Sequence, residues 1–153
     1  MHYVYQPQSN AFFDRFSNIV RSRFGARHIK RDEVARELIK LRKDLHALAI
    51  VADQFPGHPN DKKYWTIFLN QETAFYQSVQ QIAAISKNVV VYFGCQRIRR
   101  GYFECDLELL TAPPYEKNDN TVVEKYVKAV ERNIRRQPDG WLWSHNRWKM
   151  KRS

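Results

Sequence analysis

Cysteines, glycines and long apolar runs are all scarce in this chain of 153 residues. Its two cysteines, Cys95 and Cys105, are too few for the disulfide framework of a small secreted domain. The five glycines are not arranged as a Gly-rich phosphate loop or as a dinucleotide fingerprint, so we expect no nucleotide cofactor. No apolar run approaches the roughly 20 residues of a membrane-spanning helix, and no signal peptide is recognisable. We therefore expect a soluble or peripheral chain.

The overall composition predicts one folded, basic domain. Hydrophobic residues make up 43% of the chain and aromatic residues 14%, which is typical of a packed core. The length suits a single domain over 1–153. The net charge of +10 predicts an anionic partner: a nucleic acid, an acidic carrier protein or a membrane surface.

Apolar periodicity predicts two helices in the N-terminal third, after a short strand at 3–5. Asn10 is a helix cap, and Gly25 ends the first helix. An apolar stripe follows the helical repeat and comprises Phe12, Phe13, Phe16, Ile19, Val20 and Phe24. A second helix begins at Asp32 and carries inward-facing residues at Val34, Leu38, Leu41 and Leu45.

Two continuous apolar runs, 47–52 and 89–93, predict buried strands of a parallel sheet. The residues between them divide into a loop over 55–63 and a helix over 73–86, as in a right-handed crossover. The fold class predicted is α/β, with a mixed, largely parallel sheet flanked by helices.

The last third predicts a hairpin and a helix. A turn at 99–101 places Cys95 opposite Cys105, and we expect both thiols to be free and buried. The second strand alternates apolar and acidic residues over 103–109, which is typical of a half-exposed strand. Residues 121–124 predict a capping box, followed by a helix whose buried face comprises Val123, Tyr126, Val127, Val130 and Ile134.

The motifs in the sequence do not complete a catalytic or metal site. His28 and Glu33 have a His-x4-Glu spacing, but they span a predicted helix start, and we interpret them as capping and solvated charge. The remaining histidines lack metal-ligand spacing, so we expect no metal. Asp53 follows a predicted strand, where it can either contact a ligand or cap the turn over 54–57.

Basic and aromatic residues form two further candidate surfaces. Arg21 and Arg23 flank a predicted helix end, where a solvated basic face is the simplest interpretation. The segment 141–149 contains three of the four tryptophans, together with Arg147 and Lys149. Tryptophans so spaced are typical of a docked, buried segment, although a basic aromatic segment also suits stacking on single-stranded nucleic acid.

Several segments together resemble the lipid A biosynthesis acyltransferases of Gram-negative bacteria. They are Val4-Tyr5-Gln6-Pro7, Arg21-Ser22-Arg23-Phe24-Gly25, Ala52-Asp53-Gln54-Phe55-Pro56-Gly57, Arg100-Gly101-Tyr102 and the tryptophan-rich 141–149, with Asn10 and Asp14 between the first two. The resemblance implies a glycerol-3-phosphate acyltransferase-like fold. It also implies transfer of an acyl chain from acyl carrier protein to a hydroxyl of a phosphorylated glycolipid, at the cytoplasmic face of the inner membrane, with the carrier thioester as co-substrate and no other cofactor.

The resemblance also suggests site residues. Arg21 matches an arginine that stabilises the oxyanion, and Asp53 matches an aspartate required near the catalytic dyad. The matched cations Arg23, Arg100, Arg147 and Lys149 are expected to bind the anionic substrates. Gln6 stands where the family usually has arginine, so a phosphate contact is not expected there.

The family's His-x4-Glu dyad precedes the segment that matches 4–7. We therefore expect the chain to be the C-terminal portion of such an enzyme, truncated at its N-terminal side, inactive by itself and self-associating through uncovered apolar surface. Two alternatives remain: a single-stranded nucleic-acid-binding module, disfavoured by the resemblance, and a scaffold that docks carrier protein without acyl transfer.

Overall fold

The computed structural model describes residues 1–116 and 119–152, and it divides into two compact units. The first unit comprises Met1–Val51, and the second runs from Ala52 to the C-terminus. Helices and strands occur in both units, so the α/β class is confirmed. The prediction of a single domain over 1–153 stays a prediction.

The first unit is built on a small parallel sheet. Its elements are β1 (His2–Tyr5), α1 (Ala11–Ser22), β2 (Arg27–Lys30), α2 (Val34–Lys40) and β3 (Leu48–Ala49). The strand order is β2-β1-β3, and β1 runs parallel to both neighbours. Among the described residues these three short strands form the parallel sheet, which is smaller than the sequence predicts.

The core of the first unit lies between β1, β2 and α2. Tyr3, Ile29, Val34 and Leu38 are buried there, so the inward positions predicted for the first part of α2 are confirmed. Leu45 is fully exposed, and its predicted inward position is wrong. The reason is that α2 ends at Lys40, and the 3₁₀ turn that follows no longer keeps the helical repeat.

The predicted start of α1 is confirmed. The Asn10 side-chain oxygen accepts hydrogen bonds from the backbone N–H groups of Phe12 and Phe13, at 3.0 and 3.2 Å. An N-cap of this kind satisfies two of the donors that the first helical turn leaves free. None of the residues of α1 is buried.

Among its described residues, the second unit contains two antiparallel hairpins and two α-helices. Its elements are β4 (Lys63–Phe68), β5 (Gln71–Tyr76), α3 (Ser78–Ser86), β6 (Val90–Arg99), β7 (Tyr102–Thr111) and α4 (Thr121–Arg136). The turn between β4 and β5 places Leu69 and Asn70 at φ of 49° and 64°. Gly101, at φ of 80°, makes the turn between β6 and β7, where the sequence predicts one.

The parallel pairing predicted for 47–52 holds for two residues only, and that predicted for 89–93 is wrong. The first run forms only the two-residue strand β3, and Val51 is 76% exposed. The second run belongs to β6, which pairs antiparallel with β7. The predicted crossover helix over 73–86 is also shorter, because Thr73–Tyr76 pairs with β4 and the helix begins only at Ser78.

The β6–β7 hairpin confirms the predicted pairing of Cys95 with Cys105, and both thiols are free. They are exposed, so their predicted burial is wrong. The apolar residues Leu107 and Leu109 of this hairpin are 74% and 64% exposed, the reverse of the usual expectation for a half-exposed strand. The acidic side faces arginines of α4 instead, with Asp106 3.1 Å from Arg136.

The core of the second unit packs β4 and β5 against α4. It contains Phe68, Phe75, Val123, Val127, Val130 and Ile134. This confirms the predicted buried face of α4. The capping box is wrong in detail, because Thr121 is already the first helical residue and the Asp119 carboxylate accepts its backbone N–H at 2.8 Å.

Candidate active site around Asp53

Asp53 lies at the start of the second unit, in the irregular segment before β4. Its side chain is half-buried, between the buried residues Ala52 and Pro56. The Tyr76 hydroxyl donates a hydrogen bond to the backbone oxygen of Phe55 at 3.2 Å. The turn that carries Asp53 is therefore attached to the end of β5.

Two tyrosines lie close enough to sense the charge of Asp53. Burial raises the pKa of Tyr126 strongly, and the Asp53 carboxylate raises it further. The same two causes, in the same order, raise the pKa of Tyr92. The two tyrosine rings meet edge to face, with centroids 6.1 Å apart, and the Tyr126 hydroxyl also interacts with the backbone of Ala52. Strand β6 and helix α4 thus each place a neutral phenol near Asp53.

Arg147 is a buried cation in the same region. Its side chain is 2% exposed, and its Nη2 donates a hydrogen bond to the Ala74 carbonyl oxygen at 2.6 Å. Burial lowers the pKa of its guanidinium to about 10, while Tyr126 and Asp53 act in the opposite direction. At neutral pH the group is therefore still charged.

The hydrogen bonding of Arg147 is incomplete. Nε and Nη1 are buried and have no hydrogen-bond partner among the described residues. Unpaired polar atoms of this kind are uncommon in protein interiors and cost free energy. A buried arginine that is only partly satisfied next to a carboxylate-containing turn is a feature that packing alone does not require.

The tryptophan-rich segment holds Arg147 in place. The Trp148 indole N–H donates to the Thr73 hydroxyl at 2.8 Å, and its ring stacks on Phe68 with centroids 6.3 Å apart. The Trp141 ring also packs against Phe68, at 6.2 Å. Both tryptophans thus pack on the core, as expected for a docked segment. Trp143 is 53% exposed.

The other predicted site residues lie elsewhere. Arg21 is in the last turn of α1, with its guanidinium carbon 5.8 Å from the Tyr3 ring centroid. Arg23 follows that helix, and its guanidinium carbon is 5.7 Å from the ring centroid of Phe24. Arg100 is exposed in the β6–β7 turn, and Lys149 is exposed near the C-terminus.

The contacts of His28 and Glu33 differ from those of a catalytic pair. The His28 ring packs edge to face on Tyr5, with centroids 4.9 Å apart. Glu33 forms an ion pair with Arg36 at 3.4 Å. These contacts agree with the interpretation of the spacing as coincidental.

Sequence reasoning missed Tyr92 and Tyr126. The sequence predicts Tyr126 on the buried face of α4, but a tyrosine on such a face is usually assigned to packing. Tyr92 lies within an apolar run, and only the pairing of β6 shows which side it faces. No sequence signal connects either residue to Asp53, because the proximity is created by tertiary packing.

Within 1–116 and 119–152, no three His, Cys, Asp or Glu side chains are grouped so that they could hold a metal ion. In the same described ranges, no helix has both the length and the apolar character needed to cross a membrane.

The family model for bacterial lipid A biosynthesis acyltransferases matches residues 1–150. The chain belongs to this family. The match covers both units and every residue of the candidate site, and it confirms the resemblance drawn from the sequence segments. A search of curated proteins gave no match to the chain. Membership in the lipid A acyltransferase family assigns acyl transfer in lipid A biosynthesis as the general activity.

Proposed function

We propose that this chain takes part in transferring a fatty acyl chain from acyl carrier protein to a hydroxyl of a phosphorylated glucosamine disaccharide, at the cytoplasmic face of the bacterial inner membrane. The match of the lipid A acyltransferase family to residues 1–150 carries the proposal. The carrier thioester is the co-substrate, and the reaction needs no further cofactor.

In the proposed reaction the acyl group moves from the sulfur of the carrier thioester to the oxygen of the acceptor hydroxyl. A general base removes the proton of the acceptor hydroxyl, and the resulting oxygen attacks the thioester carbonyl. The C–S bond then breaks, and the carrier thiol leaves with a proton. In the family pattern, the base belongs to a His-x4-Glu dyad that precedes the segment matching 4–7, and we assign the base to that dyad.

Arg21 is proposed to stabilise the oxyanion of the tetrahedral intermediate. An exposed guanidinium on the last turn of a helix can direct several N–H donors at one oxygen. The ring of Tyr3 beside it limits the conformations of its side chain. Such restriction lowers the entropy cost of holding a donor where negative charge develops.

Asp53 is proposed to support the dyad, with Arg147 as a positioning residue. Arg147 is buried, so it is better placed to act on Asp53 than to meet a substrate in solvent. Its attraction for the carboxylate and the contact of Tyr126 with the Ala52 backbone both favour one conformation of the turn. Preorganisation of a supporting residue in this way is common at active sites.

The basic surface fits the proposed substrates. Acyl carrier protein is acidic and the acceptor carries phosphates, so a chain with a net charge of +10 attracts both. The exposed cations Arg23, Arg100 and Lys149 are available for this steering. The packing of Trp141 and Trp148 on the core removes the main argument for a nucleic-acid stacking platform.

An acyl-transfer assay tests the proposal. The polypeptide that joins this chain to an upstream His-x4-Glu dyad is incubated with labelled acyl carrier protein thioester and the phosphorylated disaccharide, and the product is identified by mass spectrometry. We expect transfer, and we expect Arg21→Ala to lower kcat by about 10²- to 10³-fold, as for loss of an oxyanion donor. Asp53→Asn should also lower kcat.

The matched control is Arg42→Ala, which removes an exposed arginine of the same unit as Arg21 and should leave kcat unchanged. Absence of transfer by the dyad-containing polypeptide would contradict the proposed reaction. Full activity of both Arg21→Ala and Asp53→Asn would instead contradict the roles assigned to these residues.

A further inference from the structure

Helix α1 presents a continuous apolar face to solvent. The face comprises Phe12, Phe13, Phe16, Ile19 and Val20 of the helix together with Phe24 just after it, and each of these side chains is between 53% and 92% exposed. Single exposed apolar residues are ordinary, but a contiguous group of six large ones marks an interaction surface. Four of the six are phenylalanines, which makes the face strongly aromatic.

The opposite, polar face of α1 is the one that packs on its own unit. The Tyr3 hydroxyl donates to the Asn18 side-chain oxygen at 3.1 Å. The backbone N–H of Gln8 donates to the Asp14 carboxylate at 2.9 Å, and the Gln8 amide donates to the Ser17 hydroxyl at 3.3 Å. The usual orientation of an amphipathic helix is therefore reversed. Rotating the helix to bury its apolar face would break these hydrogen bonds.

The charges around this face favour an anionic partner. Arg15 and Arg23 are exposed and lie near its two ends, and residues 1–51 contain ten Lys and Arg against five Asp and Glu. A second copy of the chain would bring like-charged arginines together when the two faces meet. A lipid bilayer with anionic headgroups offers both an apolar layer for the phenylalanines and negative charge for the arginines.

We propose that the apolar face of α1 is a docking surface for anionic lipid bilayers. The helix lies in the plane of the interface, its phenylalanines enter the boundary between headgroups and acyl chains, and Arg15 and Arg23 contact lipid phosphates. The reversed orientation of α1 and the local charge both favour this surface. It adds a specific surface to the proposed membrane setting, and it does not depend on acyl transfer.

Vesicle co-sedimentation tests the proposal with the chain as it stands. Vesicles of phosphatidylcholine alone are compared with vesicles that also contain an equal amount of phosphatidylglycerol. We expect binding to the anionic vesicles, and the double variant Phe13→Ser/Phe16→Ser should weaken the partition coefficient by at least about tenfold. Since both side chains are exposed, the variant should keep its fold, which circular dichroism can verify.

Matched variants distinguish binding through this surface from nonspecific binding through other exposed apolar residues. Phe93→Ser removes a phenylalanine that is 62% exposed on the β6–β7 hairpin, and it should leave partitioning unchanged. Arg15→Gln and Arg23→Gln should each weaken binding about fivefold, as expected for one cation at an anionic surface. Arg42→Gln, which alters an exposed arginine in the 3₁₀ turn after α2, should have a smaller effect.

A site-specific label shows which face contacts the lipid. In a Cys95→Ser/Cys105→Ser background, an environment-sensitive dye is attached at Val20→Cys on the apolar face or at Ser22→Cys on the polar side. The emission of the first should shift to the blue when anionic vesicles are added, and that of the second should not. Acyl-transfer activity is not needed for this readout, so its failure and that of the proposed function are distinguishable.

Three results would overturn the proposal. The first is equal binding of the parent chain and the Phe13→Ser/Phe16→Ser variant. The second is equal binding to neutral and anionic vesicles. The third is a Val20→Cys label that is already blue-shifted in buffer, because the face would then be covered by protein. Analytical ultracentrifugation of the labelled chain shows whether that protein is a second copy.

Discussion

The guanidinium of Arg147 lies over the ring of Phe75, with its central carbon 4.3 Å from the ring centroid. The ring face attracts the cation, and the Ala74 carbonyl accepts its single described hydrogen bond. These contacts compensate only part of the cost of removing a guanidinium from water. We therefore expect the charge of Arg147 to position the carboxylate of the neighbouring Asp53 and to contribute little to the stability of the fold.

Replacing this buried cation by an apolar residue of similar length separates the two roles. We expect Arg147→Met to change the free energy of unfolding by no more than about 1–2 kcal/mol, because it also removes an unsatisfied buried charge. In the acyl-transfer assay, kcat should fall about tenfold or more while the KM for acyl carrier protein stays constant.

The control is Arg152→Met, which removes a cation that is exposed and pairs with Glu72 at 3.3 Å. It should alter neither stability nor kcat, since exposed ion pairs contribute little. If Arg147→Met raises KM instead of lowering kcat, Arg147 binds the substrate directly, as the family resemblance implies.

Stability at alkaline pH should depend on Tyr126. Burial raises the pKa of this phenol above its usual value near 10, so the unfolded chain loses the proton first. Its contribution to stability is complete below about pH 10 and is lost above it, with a slope of about 1.4 kcal/mol per pH unit. Urea unfolding of Tyr126→Phe should show a shallower decline with pH than the parent chain.

Arg147 responds to pH in the opposite sense, but it is present in both chains, so the difference between their slopes reports Tyr126. The lowered pKa of Arg147, about 10, means that its desolvation cost is relieved as the pH rises further. Tyr102→Phe, which alters an exposed tyrosine, serves as the control and should keep the parental slope. An identical slope for Tyr126→Phe and the parent would contradict the prediction.

The tryptophans of the C-terminal segment should differ in their effect on stability. Trp148→Ala removes the bond to Thr73 and the stacking on Phe68, and we expect a loss of about 3 kcal/mol. Trp143→Ala affects a half-exposed side chain and should cost less than about 1 kcal/mol. Denaturant unfolding followed by circular dichroism measures both. A folded Trp148→Ala chain that has lost single-strand nucleic-acid binding would favour the binding-module alternative.

Helix α4 could be predicted from the sequence because its apolar residues keep the 3.6-residue repeat over four turns. The β6–β7 hairpin could be predicted because Gly101 marks a turn between alternating segments. The β4–β5 hairpin was missed, because its turn uses Leu69 and Asn70 at positive φ instead of the usual glycine-containing pairs. The pairing of the run over 89–93 is antiparallel instead of parallel, because short apolar runs carry no period that identifies their neighbours.

The candidate site was only partly accessible to sequence reasoning. Asp53 could be singled out from its place after an apolar run and from the family resemblance. The burial of Arg147 could not, since a cation in a basic segment is normally exposed. Its position follows from contacts with Ala74 and Phe75, more than 70 residues earlier in the chain.

The paired thiols of Cys95 and Cys105 should form a disulfide on mild oxidation. They occupy opposite positions on β6 and β7, both are exposed, and their sulfurs are 3.5 Å apart. Hydrogen bonding to Cys105 raises the pKa of the Cys95 thiol, so the reaction should accelerate as the pH increases. Mass spectrometry of the unreduced chain detects the product. Cys105→Ser is the control, and formation of only intermolecular disulfides would contradict the prediction.

Exposed apolar residues of the β6–β7 hairpin favour association between molecules in solution. They include Phe93, Leu107 and Leu109. Mutual repulsion between molecules of charge +10 opposes contact between such surfaces. The range of that repulsion falls from about 10 Å at 0.1 M salt to about 3 Å at 1 M, whereas apolar attraction persists. Light scattering should therefore increase as salt is added, because long-range charge rather than burial keeps the molecules apart.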